Sequence, residues 1–169
     1  MGIISPKEAA ARSAKDYLRD NRFEIALGGA LAAGSDVTDH CIGASMPGTQ
    51  YGTIEYRSAS PVLKLPNDVI YNPLRLTFLN STDGLAWKHF QELNTKKIIT
   101  SIRGDYSFNF FDEYSGSVIV NQFDGAGNIV HTVEYVNAYV VGIDDNILSM
   151  ESMDTVNRFN AILNYEYYI

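Results

Sequence analysis

The sequence predicts a mainly β chain with two helices (α+β), built as an antiparallel β-sandwich or partly open barrel with a projecting β-arm and a flanking helix. Apolar–polar alternation of period two runs through most of residues 105–169. Eleven Tyr stand against one Trp, and Tyr, with one wet and one dry end, suits sheet faces and subunit contacts. The charge is also split: residues 105–169 hold ten acidic side chains and one basic one, Arg158, whereas residues 1–104 hold twelve basic and ten acidic. At 169 residues the chain reads as one domain over 1–169, long enough to bury about 70% of its unfolded surface.

Ser5-Pro6-Lys7-Glu8 is a capping box with proline at the first helical position, so a helix is expected to about Asp20, within residues 1–21. Its apolar stripe, Ala10, Ala14, Tyr17 and Leu18, is thin. Two β segments follow, Arg22 to Ala33 and Val37 to Met46, with Gly34-Ser35-Asp36 as the turn between them. Residues 48–68 alternate as two short strands, Thr53–Tyr56 and Val62–Leu65, around Arg57–Ser60; a structureless loop of that length is uncommon, so the stretch reads as a projecting arm, with a flexible surface loop as the alternative. Val69 to Asn80 returns to strand, with an edge or bulge at Pro73. A second helix spans about 82–97: Leu85, Ala86, His89, Phe90 and Leu93 keep helical spacing, Asn80, Ser81 and Thr82 offer caps, and Lys96 and Lys97 suit the negative end of the dipole. Sheet completes the chain over Tyr106–Phe111, Ser117–Phe123, Ile129–Ile143 and Thr155–Ile169, with a short hairpin loop at Asp124–Asn128.

The last two segments have about 15 residues each, which at ~3.3 Å per residue is roughly 50 Å. A domain of this size is only about 40 Å across. Such strands must bend through bulges or help build something larger than one chain. In the final one Phe159, Ala161, Leu163, Tyr165, Tyr167 and Ile169 are expected on one dry face, and an unpaired edge there invites strand addition.

Chemistry is sparse. His40 and Cys41, adjacent on an expected strand, would point to opposite faces; His89 and His131 read as structural. One cysteine forms no internal disulfide. Asp144-Asp145-Asn146 with Glu151 and Asp154 lacks the alternating ligands and central glycine of a calcium loop. Gly28-Gly29 and Gly125-x-Gly127 miss the dinucleotide spacing, and Gly43 to Gly48 is no nucleophile elbow. The sheet half has no basic stripe to grip nucleic acid. Asn80-Ser81-Thr82 reads as helix-start chemistry rather than a glycosylation site, Pro6 spoils a myristoylation signal, and Ile25–Ala33 is too short to span a bilayer. No catalytic constellation, metal site or cofactor is expected, and the chain reads as soluble, acidic and made without targeting.

Asn21-Arg22-Phe23-Glu24-Ile25, Cys41 to Gly48, Asn72 to Phe78 and the ending from Met153 to Tyr168 together make the chain resemble the tail tube proteins of contractile-tailed bacteriophages. Val140 stands where many relatives have proline, and the second helix lacks a frequent trailing Trp. The resemblance implies a structural subunit, not an enzyme, whose strands pair across copies in a six-membered ring. Rings would stack into a hollow tube in the virion tail, made in the host cytoplasm, with sheath, baseplate and tape-measure partners, no membrane insertion, and double-stranded DNA passing through without specific binding. On that reading Tyr51, Ile54, Tyr56, Val62, Leu63, Leu65, Tyr167 and Ile169 are candidate subunit contacts, and Asp112, Glu113 and Glu134 are candidate channel-lining acids that would repel phosphate. Rival readings are the tube subunit of a secretion or injection machine or a baseplate ring, a small-molecule-binding β-barrel with a Tyr-lined cavity, and an enzyme using scattered carboxylates.

Overall fold

The computed structural model describes residues 19–57, 62–102, 105–144 and 156–169. The expected opening helix and the acidic stretch with Glu151 and Asp154 lie outside them. Strand β1 (Phe23–Gly29) alternates with Ile25 and Leu27 buried. A single helical turn, α1 (Ser35–Thr38), separates it from β2 (Cys41–Ser45). Next come a long hairpin, β3 (Thr49–Tyr56) with β4 (Leu63–Tyr71), and then β5 (Leu74–Leu79). Helix α2 (Leu85–Glu92) widens into a π-turn over Leu93–Ile98. A small hairpin, β6 (Ile99–Ile102) with β7 (Asp105–Phe108), leads to the one-turn helix α3 (Phe111–Tyr114). The chain ends with β8 (Gly116–Phe123), β9 (Ile129–Ile143), β10 (Arg158–Asn164) and β11 (Tyr167–Tyr168).

Seven strands form one antiparallel ladder in the order β1-β8-β9-β10-β5-β2, with β11 also beside β9. The 15-residue β9 has the length read from the sequence, and it bends. Its first part pairs with β8 (Val120↔Val133, Val118↔Tyr135), while Tyr139 to Ile143 pair with β10. At the corner Asn137 takes φ 54°, a left-handed conformation that asparagine tolerates better than most residues. One strand thus belongs to two leaves, and the leaves close over a shared core. Leu74, Leu76, Phe78, Val118, Ala161 and Leu163 are fully buried in it. Each large apolar side chain so covered stabilises the fold by roughly 1.5–3 kcal/mol. Helix α2 seals one side: Phe90 lies 4.8 Å from Phe78, and Trp87 meets Phe159 edge-on at 5.2 Å.

Close backbone approach fixes where β1 ends. Gly29 pairs with Gly116, and a Cβ on Gly116 would sit 2.2 Å from the Gly28 carbonyl oxygen. Gly29 itself has φ 64° and turns the chain out of the ladder.

The mainly β antiparallel class holds, and several boundaries move. The run from Arg22 to Ala33 stops at Gly29, and Val37 lies on α1 rather than on a strand. Leu31 and Val37 are apolar because they are buried, 1% and 7% exposed, not because they are in a sheet. β1 and β2 are therefore no hairpin but the two opposite ends of the ladder. Val69–Tyr71 belong to the arm, since Pro73, with no amide hydrogen to donate, stands between β4 and β5. Helix α2 begins after Gly84 without a side-chain cap, and Leu85 faces solvent. The final segment breaks at Tyr165-Glu166, so Tyr167 and Ile169 turn outward (41% and 74% exposed) and Tyr168 turns in beside Tyr165. The Asp124 loop is as expected: its carboxylate accepts from the Ala126 and Asn128 amides at 2.8 Å, and the Asn128 bonds hold it below the usual carboxylate range.

Candidate assembly surface

The β3–β4 arm is the most exposed part of the described molecule. All nine residues of β4 face solvent. Cross-strand register puts Ile54 opposite Leu65 and Tyr56 opposite Leu63, so these four expected contact residues form one apolar face of the distal arm. They are 53%, 45%, 58% and 55% exposed. The opposite face is polar, with Thr53 against Pro66 and Glu55 against Lys64. Tyr51 pairs with Val69 nearer the root, where a register shift between Tyr51 and Thr53 accommodates Pro66. Val62 lies just outside β4 and is exposed. Eight residues of strand carry the tip about 26 Å from the root. A two-stranded hairpin is marginal on its own, and this one lacks a covering layer among the described residues.

A tyrosine cluster holds the root. Tyr71, the last residue of β4, packs on Tyr165 and Tyr168 with ring centroids 5.7 and 5.9 Å away. The Thr49 hydroxyl, at the first residue of β3, hydrogen-bonds the Tyr168 hydroxyl. Tyr135 lies beneath, 4.8 Å from Tyr165, and burial pushes its phenol up to about 12. Both strands of the arm are thus fastened to the C-terminal strand. The Tyr excess in the sequence signalled a contact role; which tyrosines meet was not readable, because residues 71 and 165 share no local pattern.

Beside the cluster lies an open pocket of about 580 Å³. Tyr71 and Tyr165 form one wall, and Phe111 and Tyr139, with centroids 5.9 Å apart, form another. Asn137 donates to the Glu166 carboxylate at 2.6 Å, which fixes the acid at the rim. Tyr165 is 8% exposed, and its buried hydroxyl has no hydrogen-bond partner among the described residues. A second open slot of about 480 Å³ separates the ends of the ladder, between Phe23 on β1 and Ile42 and Ala44 on β2. The barrel is not closed.

The expected acids divide between two places. Glu134 lies on the outward face of β9, level with Ile119 of β8 and joined to Ile169 by two backbone hydrogen bonds of 3.0 and 2.9 Å. Along that face Glu24, Asn121 and Thr132 occupy the adjacent row, with Thr132 donating to Asn121 at 2.9 Å, and no Lys or Arg. Tyr167, opposite Val136, shares the face with Glu134. Asp112 and Glu113 sit on the exposed α3, apart from it. Glu24 was legible in the alternation with Ile25 and Leu27, yet was not among the expected acids.

Two of the histidines and the cysteine singled out in the sequence make local contacts. His40 Nδ1 lies 2.7 Å from the Asp36 carbonyl oxygen, and His89 Nε2 lies 3.3 Å from that of Leu31. Burial pushes the Cys41 thiol up to about 11, leaving it a poor nucleophile. Among the described residues no three His, Cys, Asp or Glu side chains gather to hold a metal, and no helix is long and apolar enough to cross a membrane.

Comparison with known proteins supplies the context. Residues 9–169 match the sequence profile described as "Phage tail tube protein". None of the curated proteins matches the chain. Similar solved structures include a chain of the extracellular contractile injection system PVC sheath–tube complex in its extended state, with TM-score 0.67, 15% identity and 95% of each chain covered. A chain of the anti-feeding prophage baseplate aligns with TM-score 0.64 and 13% identity over 92% of this chain and 95% of that one. A type six secretion system protein aligns with TM-score 0.55 and 9% identity over 87% and 80%. At such identities these likenesses establish the fold.

Proposed function

Because this chain belongs to the phage tail tube protein family, we propose that it is a structural subunit of a phage tail tube, its copies assembling into stacked, hexameric rings around a channel for DNA. The family is one of tail tube proteins, and a similar chain comes from a sheath–tube complex. One observation carries the reading: a long hairpin, anchored at its root, leaves the apolar face of Ile54, Tyr56, Leu63 and Leu65 uncovered. Monomers seldom expose a contiguous apolar face of this kind without a partner for it. The edges of β1 and β2 that no described strand pairs supply the second requirement, since strand pairing between copies removes such edges. The channel wall on this reading is the outward face of β1, β8 and β9, with Glu24 and Glu134 and no cation, so that phosphate is repelled and DNA slides. Asp112 and Glu113, on α3, would line a ring mouth rather than the wall. Tyr167 and Ile169 sit at the lateral contact between copies, and sheath, baseplate and tape-measure proteins are the other partners.

Negative-stain microscopy of the purified protein tests this directly: rings or hollow rods are expected, and a monomer at every concentration overturns it. A second reading, the tube of a contractile injection machine with a cargo other than DNA, draws support from the fold shared with PVC and anti-feeding prophage structures. Particles isolated with their contents separate the two, because nuclease-protected DNA inside the tube is expected only of the first. Charge reversal at Glu24 and Glu134 together should slow DNA release in low salt by at least tenfold; unchanged release would remove the acidic wall from the account.

A further inference from the structure

We propose that the pocket at the arm root is a cation-binding site for the arm tip of a second copy, and that its occupant is the guanidinium of Arg57. This rests on the self-assembly reading and adds to it the contact that sets the repeat. The pocket has the composition of a cation cage. Four aromatic residues, Tyr71, Phe111, Tyr139 and Tyr165, line it, Asn164 adds an amide, and Glu166 adds a carboxylate. None of the lining residues is basic. Ring faces attract a guanidinium more strongly than a hydrated ammonium, and a carboxylate beside them accepts its N–H groups.

Two features are set before any ligand arrives. Asn137, in its left-handed corner conformation, donates to Glu166 at 2.6 Å and so aims the carboxylate. Tyr165, nine-tenths buried in the wall, keeps a hydroxyl with no partner among the described residues, although nearly all such groups in folded proteins are satisfied.

The tip has the complementary charge. Arg57 and Lys64 face a single acid, Glu55, at 3.4 and 3.9 Å. The Arg57 side chain is 77% exposed, so its pair with Glu55 is of the weak, exchangeable kind. Because the tip and the root are opposite ends of one hairpin, tip-in-root contact is head-to-tail. Such a contact closes into a ring where the rotation between copies allows it and otherwise runs on from copy to copy.

The test is a charge swap read by sedimentation and electron microscopy of the full chain, with circular dichroism confirming the fold. Arg57→Glu and Glu166→Arg should each cut the sedimenting fraction at least tenfold, and the double variant should recover most of it. Glu166→Gln and Tyr139→Leu, milder changes that leave the body intact, should each raise the concentration needed for assembly about three- to tenfold. Arg57→Lys should recover only part of the loss seen with Arg57→Glu. Single reversals that assemble like the parent, or a folded double variant that does not recover, overturn this site while leaving the tube reading standing. A parent protein that never assembles takes down both.

Discussion

β5 and β4 are neighbours in sequence, similar in apolar content, and opposite in fate. In β5, Leu74, Leu76 and Phe78 are wholly buried between β10, β2 and α2. In β4, Leu63, Leu65, Val69, Ile70 and Tyr71 are all exposed. Local β propensity is satisfied in both, so propensity does not separate body from arm. What separates them is a second layer. The body has one within the chain; the arm has none among the described residues, and on the proposed reading a second copy supplies it.

The largest effect that sharpens this contrast is on the body. Phe78→Ala removes a ring packed on Phe90 and Phe159 at 4.8 and 5.5 Å, and should cost about 3–5 kcal/mol in urea denaturation of the isolated subunit. A loss below ~1 kcal/mol would mean that the core is not the one described. At the junction, Tyr168→Phe deletes the hydroxyl that bonds Thr49, for about 1 kcal/mol, and should speed amide exchange in residues 49–56 while leaving β8 and β9 unchanged. Uniform faster exchange would show that the arm and body unfold as one unit. The smallest effect on the monomer belongs to the arm itself. Leu65→Asp, on the uncovered face, should change subunit stability by no more than ~0.5 kcal/mol and yet abolish assembly. A variant that still forms rods would place the contact elsewhere.

The alternating residues of β8, β9 and β10 determined their own strands, because one face of each had to be dry; Val118, Val120, Val133, Tyr135, Ala161 and Leu163 are buried as their spacing requires. Pro73 and the apolar spacing of α2 likewise acted locally. The 15-residue length of β9 implied either a bend or a larger object, and the bend at Asn137 is visible as the left-handed corner between two leaves. Sequence spacing also placed the exposed apolar face of the arm, since Ile54 and Tyr56 alternate with Thr53 and Glu55.

Other features depended on residues distant in the chain. Leu31 and Val37 looked like strand because an apolar side chain is the same whether a helix turn or a sheet covers it. β1 and β2 looked like a hairpin because sequence adjacency was the only pairing cue, whereas the fold sends them to opposite ends of the ladder. The tyrosine clamp and the pocket beside it join residues 71, 111, 139 and 165, which no window of sequence brings together. The chain by itself settled that β8, β9 and β10 are strands and which of their faces need cover, since those follow from periodicity and solvation. Only the tertiary structure decided which face finds its cover within the molecule, because that depends on which distant strand comes to lie against it.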